Sequence, residues 1–596
     1  MFEILHRDGP ARIGKLSVGG KVIHTPTILP VIHPFKPEPW ISQIRELRLE
    51  GLITNSYILK KGNYPNGKDL HDFLNFDGMI MTDSGTFQEH MYGEIKEGNL
   101  EMVQFQDQVG SDIITIRDVF SEFGQEREEI LAGLKETYRR GLEAREASKG
   151  YLAYPVQGGI YSDLRIESAS LMQSLGGEYY PIGGIVPLME RYRYEDVVNI
   201  IINSRKGLRT SSVVHAFGAG HPMFFPILFL SGVDVVDSSS YIKYAREGRI
   251  LTDTGTIELD EIAEELPPSP YFDSLTLDEL RKMPEGERRE IIGKHNLYVT
   301  VKEISKIREQ IRKENLWNYV EYRVRAHPLL LGAYQALLKH YEYMEKFESR
   351  SKKSPVFFSG KETLERPLVR RFIDKERKRR SGVVIERKPY SYFAMNPADF
   401  VKTPFGTISL YLDETYPVAQ SLFPGEYYEK DISFEKFRNP EWNDFLREKV
   451  NYIFNYQFGV KLFKIIDKNE IGFVISKNTG KIRNVTYGNE ILISLRATDG
   501  LFSLNMTSAK LLHAALQYPK LRIAVDQEIS SFIKEGRNVF CKFVKEADRE
   551  LRPGDEVLIV DDDDNLLSYG RTLLNREEML EFKSGMAAKN RLKSTE

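Results

Sequence analysis

Short apolar runs punctuate the first half of the chain at even intervals. Each closes in a polar or glycine-rich turn, and most are followed by a stretch of helical period. They are TPTILPV from Thr25, GLITNS from Gly51, GMIMTDSG from Gly78, DIITIRD from Asp112, LAYPVQGG from Leu152, YYPIGG from Tyr179, SVVHAFGAG from Ser212 and VDVVDS from Val233. Continuous runs of this length suit parallel strands buried on both faces. Between them lie helices such as 125–148, where Ile130, Leu134, Tyr138 and Leu142 predict one apolar stripe. Eight β/α units in roughly 250 residues predict an α/β fold, a TIM (β/α)8 barrel. An open doubly wound sheet is the competing arrangement, and eight units of even size favour closure.

Beyond the barrel the pattern changes. Residues 299–349 read as helices broken near Asn315 and at Pro328. From about 400 the signal is mixed α+β: the turn-punctuated TPFGTISLYL, a helix around 433–459, then strands from about 471. The last stretch, LRIAVD through NVFCKFV, GDEVLIVD and LLSYGRTLL, reads as a small β-barrel. The expected domains are 1–350 (barrel with a helical extension), 351–430 (basic linker and small α+β domain), 431–517 (α+β) and 518–596 (small barrel).

Composition narrows the class. With 41% hydrophobic and 28% charged residues over 596 positions, the chain has the balance of a multidomain globular protein. Lys and Arg number 83 against 86 Asp and Glu, a formal charge of −3, so any nucleic-acid contact must come from local patches. One such patch is 370–388, with nine Lys/Arg including Arg370, Arg371, Arg377, Arg379 and Arg380. The basic tail, Lys583, Lys589, Arg591 and Lys593, is another. A solvated helix face is the alternative reading of such runs. The single cysteine, Cys541, excludes an internal disulfide and any multi-cysteine metal centre. No run has the length of a membrane span or signal core, so no membrane is expected and a cytoplasmic protein is.

TIM barrels work at the C-terminal ends of their strands. That rule gathers Asn55, Asp83, Asp118, Gln157, Gly183, Gly184, Gly218, Gly220 and Asp237 at one mouth. His215 lies inside its strand and reads as core, and Asp234, earlier in its strand than Asp237, reads as structural. There is no serine–histidine arrangement, no phosphate-binding glycine loop and no metal-ligand cluster. Paired carboxylates with an amide and glycine backbone suit covalent displacement at a sugar carbon, one acid attacking and a second handling the proton.

The motifs MTDSGTFQ (81–88), YPVQGGIYSDLR (154–165), PIGGIVPLMERYRY (181–194), HAFGAGHPM (215–223) and GVDVVDSSSY (232–241) resemble those of the archaeal tRNA-guanine transglycosylases. So do HNLYV (295–299), VRAHPLL (324–330) and LDETYP (412–417), and the terminal module resembles a PUA RNA-binding domain. The resemblance covers essentially the whole chain. It implies exchange of guanine at position 15, in the D-arm of tRNA, for 7-cyano-7-deazaguanine, the precursor of archaeosine. Asp237 matches the nucleophile that forms a glycosyl-aspartate intermediate, and Asp83 the general acid/base. Asp118 and Gln157 match the residues that bond the base edge, with backbone of Gly184 and Ile185, and Phe87 matches the aromatic that stacks on it. The C-terminal half is assigned to gripping tRNA.

Two departures stand out. The family's structural zinc run falls on Pro267, Ser269 and Phe272, with only His295 kept, so no zinc or other cofactor is expected. That region supports dimer contacts in the family, so a homodimer is one open state. After Asp118 the chain reads VFSEFGQERE where the family has a proline-rich turn. Two other readings stay open: an archaeosine synthase paralogue, whose signature is only partly met by Lys388-Pro389-Tyr390 with Val383-Val384 upstream, and a non-catalytic tRNA-binding protein.

Overall fold

The computed structural model describes residues 1–86, 98–379, 400–403, 405–422 and 440–592. It divides into two compact units, Met1–His340 and Tyr341–Glu596.

The first unit opens with an antiparallel sheet of three strands, β1 (Phe2–Asp8), β2 (Ala11–Val18) and β3 (Lys21–Thr25). Eight parallel strands follow: β4 (Thr27–Pro30), β5 (Gly51–Asn55), β6 (Met79–Asp83), β7 (Ile113–Thr115), β8 (Tyr151–Ala153), β9 (Tyr179–Ile182), β10 (Val213–Ala216) and β11 (Val235–Ser238). Their order is β4-β11-β10-β9-β8-β7-β6-β5. A parallel bridge between Val31 and Ile53 joins the two ends, and Ile32 N–H donates to Ile53 O at 2.9 Å, so the sheet closes on itself. This is the (β/α)8 barrel that the eight apolar runs predict. Strands such as GLITN and VVHA are buried at every position, as double-sided burial demands. Strand β8 is shorter than its run because Pro155 has no N–H to donate, and the chain rejoins the sheet through Val156, bridged to Ile182.

One helix is rotated from its expected stripe. Arg127–Ala147 buries Ile130, Leu134, Thr137, Gly141 and Ala144, while Tyr138 and Leu142 are only half-buried. The cause is Gly141, where a Cβ would run into Leu175. The glycine lets the helix approach the barrel along its own line rather than along the larger side chains. The helical extension begins earlier than expected, at Glu285, and runs to Arg312. Its breaks fall where expected: Glu314 takes a left-handed conformation before Leu316–Arg323, and Pro328 opens Pro328–Lys339. Among the described residues no helix is long and apolar enough to cross a membrane.

The second unit holds a four-stranded antiparallel sheet formed by Ile471–Ile475, Ile482–Tyr487, Glu490–Leu495 and Phe502–Ser503. It ends in a six-stranded sheet spanning Arg522–Val525 to Met586–Asn590, with one parallel and four antiparallel pairings. The basic run forms the end of helix Pro367–Arg379. Arg371 corrects an expectation. It is 8% exposed, and its guanidinium bonds the Glu345 carboxylate and the carbonyls of Glu348 and Ser349, so no phosphate can reach it without dismantling that network. Arg370 remains at the surface, over the Tyr341 ring at 4.2 Å. Side chains of Arg377 and Arg379 are not described, and Arg380, Val383-Val384, Lys388-Pro389-Tyr390 and Lys593 lie outside the described residues. In the tail, Lys583 and Lys589 are exposed, and Arg591 is held by Glu556 at 2.9 Å.

Candidate active site

The barrel turns strand ends into one mouth. Asp83 ends β6 in register with Asn55, which ends β5. Asn55 Nδ2 donates to Asp83 Oδ2 at 2.9 Å, while its Oδ1 caps the following helix at Ile58 N–H. One amide thus ties the carboxylate to a helix terminus. Burial pushes the Asp83 carboxyl up to about 7, and the negative charges of Asp118 and Asp237 push the same way. Those two charges act on Asp83 because all three acids share the mouth.

Asp118 follows β7 and is buried, which raises its pKa. Gln157, following β8, donates through Nε2 to Asp118 Oδ2 at 2.6 Å, and the Thr86 hydroxyl bonds the same carboxylate. Gln157 Oε1 accepts from Ser121 N–H at 3.4 Å. The amide can lie there only because glycines follow β9. A Cβ on Gly183 would strike Gln157 Nε2, and Gly184 has φ +76° with Gln157 Oε1 and Arg165 Nη2 just above its Cα. Ile185 is buried directly after them. Beneath this turn Arg165 is fully buried, donating to the carbonyls of Gly159, Val156 and Gly183. Burial pulls its pKa down to about 9, and among the described residues no carboxylate pairs with it. Loop carbonyls, not an acid, hold this cation below the pocket floor.

Asp237 lies in β11, 6% exposed. Its Oδ1 accepts from Gly218 N–H at 2.6 Å and faces His215 Nε2 at 2.9 Å. His215 Nδ1 in turn lies 3.0 Å from the Tyr179 hydroxyl. A carboxylate oxygen only accepts, so Nε2–H is the donor to Asp237, and Nδ1 of the neutral ring then accepts from the Tyr179 hydroxyl. Both bonds fall on Oδ1, and among the described residues Oδ2 carries none. His215 is therefore buried, as its strand position predicts, but it bonds the candidate nucleophile directly. Asp234 faces the other end of the strand, where Arg12 grips both its oxygens at 2.8 Å and Val214 N–H donates to it. Phe87 lies outside the described residues.

The aligned zinc positions do not suit a metal. Phe272 stacks on His295 with ring centroids 4.4 Å apart and planes 21° from parallel. His295 Nε2 bonds Leu251 O at 2.9 Å, and burial lowers the ring's pKa to about 4, keeping it neutral. Around them pack Ile250, Leu259, Ile262, Leu280 and Ile292. Pro267 and Ser269 bring no thiolate, and among the described residues no group of three His, Cys, Asp or Glu is placed to bind an ion.

A closed parallel barrel that gathers three acids and an amide at the C-terminal ends of its strands has the architecture of a (β/α)8-barrel enzyme. The family comparisons agree in detail. A family described as queuine tRNA-ribosyltransferase matches residues 8–329, the patch-forming domain C2 of tRNA-guanine transglycosylase matches 448–519, and the PUA domain matches 521–592. A Methanocaldococcus jannaschii protein named tRNA-guanine(15) transglycosylase is 40% identical over 99% of each chain. Its Pyrococcus abyssi namesake is 41% identical over 99% of this chain and 97% of its own. The chain belongs to the tRNA-guanine transglycosylase family, and tRNA is its substrate partner.

Proposed function

We propose that this protein exchanges guanine at position 15 of tRNA for 7-cyano-7-deazaguanine, through a glycosyl ester on Asp237. The observation that carries the reading is the one-sided bonding of Asp237. With Oδ1 fixed by His215 and Gly218, Oδ2 is the oxygen left to attack C1′ of a nucleotide drawn out of its stack. As the C1′–Oδ2 bond forms, the C1′–N9 bond breaks and its electron pair passes to guanine. Asp83, with a pKa near 7, is protonated often enough to give the departing base a proton. The resulting Asp83 carboxylate then takes the N9 proton of the incoming base. N9 attacks C1′, the ester bond breaks, and Asp237 returns to a carboxylate. Two inversions retain the β configuration.

In this reading Asp118 and Gln157, bonded to each other, read a base edge together with backbone of Gly184 and Ile185, and Phe87 is the expected stacking partner. Arg370, Arg377, Arg379 and Arg380 are the expected phosphate contacts of the C-terminal half, Arg371 being withdrawn. No zinc takes part in this reading, because stacking of Phe272 on His295 stands where ligands would be. A homodimer and a cytoplasmic site of action complete it. Incubation with unmodified tRNA and radiolabelled guanine or 7-cyano-7-deazaguanine tests the exchange. Label enters RNA with the wild type and is lost in Asp237→Ala. Lysine-dependent labelling of pre-exchanged tRNA, or binding without labelling, would replace this reading by the synthase or the non-catalytic one.

A further inference from the structure

The loops after β7 and β9 meet beyond the pocket in a cluster of aromatic rings and guanidinium groups. The β7 loop, which begins at Asp118, carries Phe123. The β9 segment, which begins at Gly183, carries Arg191, Tyr192 and Arg193 between helices Val186–Glu190 and Tyr194–Lys206. The Arg191 and Arg193 guanidinium carbons lie 5.1 and 4.6 Å from the Phe123 ring centroid. Arg193 also pairs with Asp196. Arg191 has no carboxylate partner among the described residues, and its guanidinium rests on the Phe123 ring. Tyr192 is 53% exposed and has φ +58°, a left-handed conformation that a tyrosine seldom adopts. Its ring stacks on His327, with centroids 5.7 Å apart and planes 20° from parallel. The next residue but one, Tyr194, is anchored on Phe224.

Backbone strain that holds a large ring outward does nothing for the barrel core. The ring is braced from behind by His327 and accompanied by a guanidinium that has no carboxylate partner among the described residues, on the same rim as the pocket. Stacking platforms paired with cations are how single-stranded nucleic acid is held, since every base offers a π face and every linkage a charge. We infer that Arg191, Tyr192 and Phe123 form a nucleotide-binding step for the RNA strand beside the extruded nucleotide. Tyr192 stacks an unpaired neighbouring base, and Arg191 neutralises a phosphate while Phe123 keeps its guanidinium planar to the rim. The inference rests on the proposed exchange only in speaking of an extruded nucleotide.

Filter binding of unmodified tRNA, measured without turnover, tests it with Tyr192→Ala, Tyr192→Phe and Arg191→Ala. Tyr192→Ala is expected to weaken binding on the order of tenfold, the loss of one stacked base, while Tyr192→Phe keeps wild-type affinity. Arg191→Ala is expected to weaken binding and to reduce the slope of log Kd against log salt by about 0.7 to 0.9, one phosphate contact. Near-ultraviolet circular dichroism of each variant checks the fold. Wild-type affinity and salt slope in both alanine variants would overturn the inference. Absence of guanine incorporation by the wild type would instead strike the exchange reading, and the affinities would still decide the surface.

Discussion

His215 Nε2 lies 2.9 Å from Asp237 Oδ1, and the ring's other nitrogen lies 3.0 Å from the Tyr179 hydroxyl. The chain Tyr179–His215–Asp237 runs through three neighbouring strands, β9, β10 and β11, so the barrel itself fixes one carboxylate oxygen and leaves the other toward the mouth. In this account His215 is a positioning residue. His215→Ala is expected to lower kcat about 10- to 100-fold, the scale of a misplaced reacting group, with the KM for tRNA little changed. Tyr179→Phe, which keeps the ring but removes the donor, should fall between that variant and the wild type. Equal losses of kcat and tRNA affinity in both variants would point to structural damage instead.

Asp83 sets a pH limit. The first displacement needs its protonated form, so kcat/KM is expected to fall as pH rises through about 7. Stability gives an independent check on the sign. Between about pH 4 and 7 the unfolded chain has lost this proton and the folded one has kept it, so stability declines with rising pH across that window and stays lower above it. Asp83→Asn removes the decline. Its unfolding midpoint is expected to match the wild type near pH 4 and to exceed it at pH 8.

Gly183 is where the pocket is least tolerant of a side chain. A methyl group there meets Gln157 Nε2, which donates to Asp118. Gly183→Ala is expected to cost on the order of 100-fold in kcat/KM for the incoming base, read by steady-state labelling, while far-ultraviolet circular dichroism stays unchanged.

The barrel and its acids were legible because their signals are local. Strands buried on both faces read as unbroken apolar runs, and the strand-end rule placed Asp83, Asp118, Gln157 and Asp237 on one rim. His215 was not legible as a partner of Asp237, because a lone histidine within VVHA carries the same signal whether it bonds a core tyrosine or a catalytic acid. A polar pair, Tyr179 and His215, inside adjacent barrel strands was the available hint. The rotated helix at Gly141 depended on which side chain stands across from it, which periodicity does not contain. Arg371 read as a surface cation because its partner, Glu345, lies 26 positions upstream.

The region around Phe272 is expected to be metal-free. Elemental analysis should return far less than one zinc per chain, and a chelator should leave the unfolding midpoint unmoved. Phe272→Ala should destabilise the first unit by about 3 kcal/mol or more, since it removes a buried ring and its stack on His295. Stoichiometric zinc would contradict this part.

Trapping the protein on RNA tests the Asp237 ester itself. Wild-type protein is mixed with unmodified tRNA, quenched in denaturant, digested with nuclease and protease, and the ribosylated peptide is sequenced by mass spectrometry. A ribose-linked adduct is expected on the peptide carrying Asp237, absent from Asp237→Asn and discharged by added guanine. An adduct on any other residue, or guanine exchange surviving in Asp237→Asn, would contradict it.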